Sequence, residues 1–87
     1  MGPRSGPIPI MEITVLFYGV IAEVTKTAAR HYTEIRSFDE LKLRIEDDFP
    51  ELVHYDYRYV VNNEMSDIPP ALKPGDEVIL LPPFYGG

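Results

Sequence analysis

Apolar and polar residues alternate between positions 12 and 18, with Ile13, Val15 and Phe17 on one face and Thr14, Leu16 and Tyr18 on the other. That period of two predicts a strand. Residues 19–30 break the pattern and read as a bend and a short turn before the chain returns. Residues 31–36 then read as the second strand of a hairpin. At Ser37 the period changes. Ser37 and Glu40 have the spacing of a capping box, in which each side chain satisfies an orphaned backbone N–H. Leu41, Ile45 and Phe49 follow at i, i+4 and i+8, with Phe38 joining at the first turn, so one helical face is apolar. Asp39, Lys42, Glu46 and Asp47 fill the outer face, and Pro50 is expected to end the helix. Residues 56–62 predict a third strand carrying Tyr57, Tyr59 and Val61 on one side. The series Tyr55, Tyr57, Tyr59 reads as strand packing in preference to a binding platform. Asn62 and Asn63 suit a tight turn. Lys73-Pro74-Gly75-Asp76 suits a type II turn, with Pro second and Gly third. Residues 77–81 predict the final strand.

The order is strand, strand, one main helix, then two or more strands. One helix packed across one face of a mixed sheet is the economical arrangement, an α+β β-grasp (ubiquitin-like) fold. In the last strand Val78 and Leu80 face one way, and Ile79 and Leu81 the other. The helix can cover only one of these faces. The other, with Leu16, is expected either to form an apolar patch for a protein partner or to be covered by a loop such as residues 68–72.

Composition narrows the functional classes. A chain of 87 residues makes one small domain. It has no Cys, which excludes disulfides, thiolate metal ligands and a cysteine nucleophile. His31 and His54 are too far apart in sequence to suggest a metal site, and each reads as an exposed or strand-edge residue. The net charge is −6, and eleven of the fourteen acidic residues lie from Asp39 onward. That argues against nucleic acid, which attracts basic patches. It suits either a basic partner surface or a plain solvated face. No apolar run approaches the ~20 residues that span a bilayer. Residues 1–10 hold Pro3, Pro7 and Pro9 with Gly2 and Gly6, and read as a leader or disordered arm. The domain is then expected over residues 11–81, followed by an extended tail over 82–87. No targeting or lipidation signal stands out, so the cytoplasm is the expected location.

The tail carries the candidate chemistry. Leu81-Pro82-Pro83-Phe84-Tyr85 leads into Gly86-Gly87. A terminal diglycine can enter a channel too narrow for any side chain. A frayed, inert tail is the alternative. Pro82 and Pro83 limit the freedom lost on insertion into a partner. Residues 82–87 could reach about 20 Å when extended. Phe84 and Tyr85 could anchor in partner pockets or fold back on the domain's own sheet.

Three stretches resemble the MoaD sulfur carriers, small subunits of molybdopterin synthase. The first is Ser37-Phe38-Asp39-Glu40-Leu41 with Ile45 and Phe49-Pro50-Glu51-Leu52. The second is Tyr59-Val60-Val61-Asn62-Asn63-Glu64. The third and most specific runs from Leu72-Lys73-Pro74-Gly75-Asp76-Glu77-Val78 through Leu81-Pro82-Pro83 to Gly86-Gly87. The likeness spans residues 11–87 at the level of motifs. The related ThiS carriers also end in diglycine but generally lack the Pro-Pro pair. The family often has an Arg-Glu pair after the first strand, whereas Ala22 and Glu23 stand there in this chain.

The resemblance implies a non-catalytic sulfur donor whose Gly87 is adenylated and converted to a thiocarboxylate, with Gly86 passing through the partner's channel. Leu81, Pro82, Pro83, Phe84 and Tyr85 would dock on the partner. The implied partners are an adenylating enzyme, a persulfide sulfur donor and the large subunit of molybdopterin synthase. This chain would bind no cofactor or metal; ATP would be used by the activating partner. A ThiS-like or other pathway carrier remains open. So does a ubiquitin-like modifier conjugated through Gly87, or an interaction module with an inert tail.

Overall fold

A computed structural model describes residues 10–62, 64–65 and 71–83. Its elements are β1 (Met11–Phe17), α1 (Val20–Thr25), β2 (Ala29–Ile35), α2 (Phe38–Asp48), a 3-10 turn (Pro50–His54), β3 (Arg58–Val61), β4 (Glu64–Met65) and β5 (Glu77–Leu81). The five strands form one mixed sheet in the order β2-β1-β5-β3-β4. β1 pairs antiparallel with β2 and parallel with β5, and β3 pairs antiparallel with both β4 and β5. The β-grasp expectation is met.

The main core lies between the sheet and α2. Ile13, Val15 and Phe17 of β1 and Val78 and Leu80 of β5 meet Leu41, Ile45 and Phe49, all buried. Each fully buried Leu or Ile contributes on the order of 1.5–3 kcal/mol. Phe17 stands edge-on to Phe49 at 5.4 Å, and Phe38 to Tyr59 at 5.0 Å. The helix start follows the capping logic with one change. Ser37 Oγ accepts from the Glu40 N–H at 3.1 Å, but the Glu40 carboxylate reaches past Ser37 to accept from the Arg36 N–H at 2.7 Å. It also faces the Arg36 guanidinium at 3.5 Å.

Two local readings change, and a third is extended. Residues 20–25 form a helix where a bend and short turn were expected. Ile21 and Thr25 are its buried face, and Thr25 Oγ1 donates to the Ile21 carbonyl at 3.0 Å. Its start at Gly19 has no side-chain cap and its six residues include β-branched Val20, Ile21, Val24 and Thr25, so it leaves little signal in propensity. Pro50 follows the end of α2, as expected, and has a second role. The helix stops at Asp48, and Pro50 opens the 3-10 turn that buries Leu52. β2 starts two residues early, at Ala29, and carries a bulge at Glu34, whose φ is 59°.

The predicted turn at Pro74-Gly75 forms. Asp76 N–H donates to the Lys73 carbonyl at 3.1 Å, with Gly75 at φ 84°, as a type II turn requires. Asn62 takes φ 52° between the paired Val61 and Glu64; Asn63 lies outside the described residues.

β2 is clamped onto α2 by Tyr32, whose hydroxyl donates to Asp48 Oδ2 at 2.8 Å. The Arg44 guanidinium lies 5.5 Å over the Tyr32 ring. Burial, and then the Asp48 hydrogen bond and charge, hold the Tyr32 hydroxyl well above its ordinary value of 10.0. The folded state therefore favours the neutral phenol. This contribution to stability is complete below about pH 10 and is lost as pH rises beyond it. Tyr32→Phe should cost about 1 kcal/mol in urea unfolding at neutral pH, and should flatten the decline in stability above pH 10. An unchanged midpoint would show that the clamp contributes nothing.

Candidate functional site: the exit of the C-terminal strand

β5 is the middle strand of the sheet, and its placement fixes where the chain leaves the domain. Its entry is set at the type II turn, where Gly75 N–H donates to the Glu12 carbonyl and Thr14 N–H to the Asp76 carbonyl. On one side Thr14, Val15, Leu16 and Phe17 pair with Glu77, Val78, Ile79 and Leu80. On the other, Arg58, Tyr59, Val60 and Val61 pair with Leu81, Leu80, Ile79 and Val78. At the exit, Tyr18 N–H donates to the Leu80 carbonyl at 3.0 Å, so β1 holds β5 almost to its last residue.

The two faces of β5 separate as the alternation predicted. Val78 and Leu80 belong to the helix-side core. Ile79 and Leu81 join Val60, with Leu16 packed against them. The open-patch alternative for this second face is corrected: Val60, Ile79 and Leu81 are only 7%, 8% and 8% exposed. Leu16, Ile79 and Val60 are direct cross-strand partners and form one continuous row. Of the loop proposed as cover, residues 68–70 lie outside the described residues, and Leu72 packs on the helix-side core.

The tail residues fall into three groups. Leu81 is a buried strand residue and Pro82 is fully buried. Pro83 is exposed in a turn. Phe84, Tyr85, Gly86 and Gly87 lie outside the described residues. Leu81 and Pro82 are thus packed in the domain in this structure, and Pro83 is the described tail residue whose side chain is open to a partner. At the position where the resemblance leads one to look for an Arg-Glu pair, Ala22 is half-buried against the core and Glu23 is exposed on α1.

Beside the exit stands Tyr59, paired with Leu80 and edge-on to Tyr57 at 5.5 Å. Its hydroxyl is buried with no hydrogen-bond partner. Burial first, and then the neighbouring Tyr57, push its ionisation upward, so it stays a neutral phenol. Such an orphaned hydroxyl is costly to bury. The alternating tyrosines gave the only sequence signal for it, and that signal was read as packing.

The chain has no Cys, and no group of His, Asp or Glu among the described residues could hold a metal ion. No helix among the described residues is long and apolar enough to cross a membrane. What the architecture can offer chemically is a chain segment held firmly at Leu81 and Pro82.

Leu81→Ala should therefore lower stability by about 2–4 kcal/mol in chemical denaturation, whereas Pro83→Ala should leave the midpoint unchanged. Equal small effects would show that Leu81 is a surface residue.

No protein-family model and no curated protein matches the chain. Solved structures do. The solution structure of small archaeal modifier protein 1 from Methanosarcina acetivorans has a TM-score of 0.73 at 18% identity, covering 91% of this chain and 99% of that one. A structure titled "Putative molybdopterin converting factor, subunit 1" from Pyrococcus furiosus has a TM-score of 0.72 at 16% identity, covering 84% and 98%. The crystal structure of small archaeal modifier protein 1 from Haloferax volcanii has a TM-score of 0.70 at 18% identity, covering 87% and 99%. The chain is similar in fold to these ubiquitin-like proteins over nearly their whole length and has the β-grasp architecture.

Proposed function

We propose that this protein is a ubiquitin-like sulfur carrier of the MoaD type, acting through Gly87 as the small, non-catalytic subunit of a molybdopterin synthase. The observation that carries the reading is the course of β5. A strand buried on both faces ends at Leu81-Pro82, and the residues after Pro83 are Phe84-Tyr85-Gly86-Gly87. The fold it shares with a molybdopterin converting factor subunit supports the same reading.

The chemistry follows from the weakness of a carboxylate as an electrophile. The Gly87 carboxylate attacks the α-phosphorus of ATP, pyrophosphate leaves, and an acyl-adenylate forms. The terminal sulfur of a partner's persulfide attacks the acyl carbon and displaces AMP. A second thiol then cleaves the resulting acyl disulfide. It leaves the Gly87 thiocarboxylate and a disulfide on the partner. The thiocarboxylate sulfur attacks an electrophilic carbon of the pterin precursor in the large subunit as a carbon–oxygen bond at that carbon breaks and the oxygen leaves protonated; water then cleaves the acyl carbon–sulfur bond of the resulting thioester, which leaves the sulfur on the pterin and returns the Gly87 carboxylate. ATP, persulfide and thiol all come from partners. This chain supplies the terminus, with Gly86 narrow enough to pass the channel and Pro83, Phe84 and Tyr85 docking outside it.

A second reading is a protein modifier conjugated to lysines through the same activated Gly87. It is favoured by the similarity to two structures titled small archaeal modifier protein 1. Both fates begin with the same adenylate and differ in the nucleophile that follows.

In a strain whose sole copy lacks Gly86 and Gly87, molybdopterin synthesis should fall to background while the purified domain keeps its unfolding midpoint. Intact molybdopterin synthesis would overturn the carrier reading. Loss instead of lysine conjugates of higher mass would establish the modifier.

A further inference from the structure

Most of the net charge lies on the helical side of the sheet. Residues 39–56 hold seven acidic residues and two basic ones, net −5 of the chain's −6. Of these, Glu40, Arg44 and Asp48 are engaged with Arg36 or with β2. Glu46 and Asp56 are exposed and have no ion-pair partner among the described residues. Between them, the surface is hollow. A depression of about 420 Å³ is lined by α2, the 3-10 turn and the approach to β3, including Tyr55, Tyr57 and Tyr59. A second of about 400 Å³ adjoins it, sharing Glu46, Val53 and Tyr57. Val53 is 81% exposed on the rim, and Tyr55 is 42% exposed. Tyr59 belongs to the same lining, its hydroxyl turned out of contact with solvent.

Aromatic rings and two carboxylates without an ion-pair partner among the described residues form a receptor for a planar cation. Guanidinium stacks on aromatic rings and donates in a fixed fork to carboxylates. Lys42 also lines the hollow and opposes a cation, but two carboxylates outweigh it. We propose that this hollow is a docking site for a basic segment of a protein partner. An arginine of that segment would lie among Tyr55, Tyr57, Tyr59, Glu46 and Asp56, with an apolar neighbour on Val53. Charge complementarity selects this occupant over a second copy of the chain, whose own net charge is −6. The surface is independent of the tail chemistry, and lies on the helical side of the sheet, opposite the row of Leu16, Ile79 and Val60.

The test uses the full chain, labelled with nitrogen-15, and a capped synthetic peptide of alternating arginine and leucine. Amide shifts should move at Glu46 and across residues 53–59, and binding should weaken with added salt. The same peptide with citrulline in place of arginine should not bind. Glu46→Gln combined with Asp56→Asn should weaken binding roughly tenfold, the worth of one charge-assisted hydrogen bond. Glu12→Gln, an exposed carboxylate on β1, should leave it unchanged. Shifts spread over every acidic residue, equal binding of the citrulline peptide, or unaltered affinity in the double variant would each overturn the proposal. So would shifts at the hollow that depend on protein concentration without peptide, which would assign it to a second copy.

Discussion

The parallel pairing of β1 with β5 is the constraint on which the rest of the structure depends. It places the last described strand in the middle of the sheet, beside the first described one. A central strand packed on both faces must be apolar on both, and Val78 to Leu81 meet that demand without a polar interruption. The core cannot close until β5 is in place, since Val78 and Leu80 fill the space beneath α2. The same pairing also sets β3, which has β5 as its long-range partner and brings Tyr59 against Phe38. A parallel pair needs a long crossover, and the helices and β2–β4 are all contained within it.

Two surfaces follow from that one strand. At the exit, hydrogen bonding from Tyr18 and burial of Leu81 and Pro82 fix the direction in which the chain leaves. On the helical side, the register of β3 against β5 sets Tyr57 and Tyr59 next to Glu46 of α2. On the two proposals above, the first surface would present the chain's end to another protein and the second would recognise a basic segment, so that a partner would hold the domain without obstructing the tail.

Much of the fold was legible because its signals are local and agree with one another. The alternation in β1 and β5, the i, i+4, i+8 spacing of Leu41, Ile45 and Phe49, and the Pro74-Gly75 turn each have one structural solution. α1 was not legible. Val20, Ile21, Val24 and Thr25 favour strands, and the segment is helical because Ile21 and Thr25 are buried against the rest of the protein. The covered row of Leu16, Val60 and Ile79 was half legible: the alternation gave its members but not their burial. The depth to which the tail is packed was also hidden, because Pro82 looks like a linker residue in sequence and is buried in the fold. The tyrosine hollow depends on α2 and β3 meeting across the 3-10 turn, a contact that no local pattern encodes.

Intact-protein mass spectrometry tests the role of Gly87 most directly. The chain would be incubated with ATP, its adenylating enzyme and a persulfide donor, then fragmented to locate any change. A gain equal to replacing one oxygen by sulfur, confined to the peptide ending at Gly87, is the predicted result. An unchanged mass, with an enzyme verified on another carrier, would contradict it.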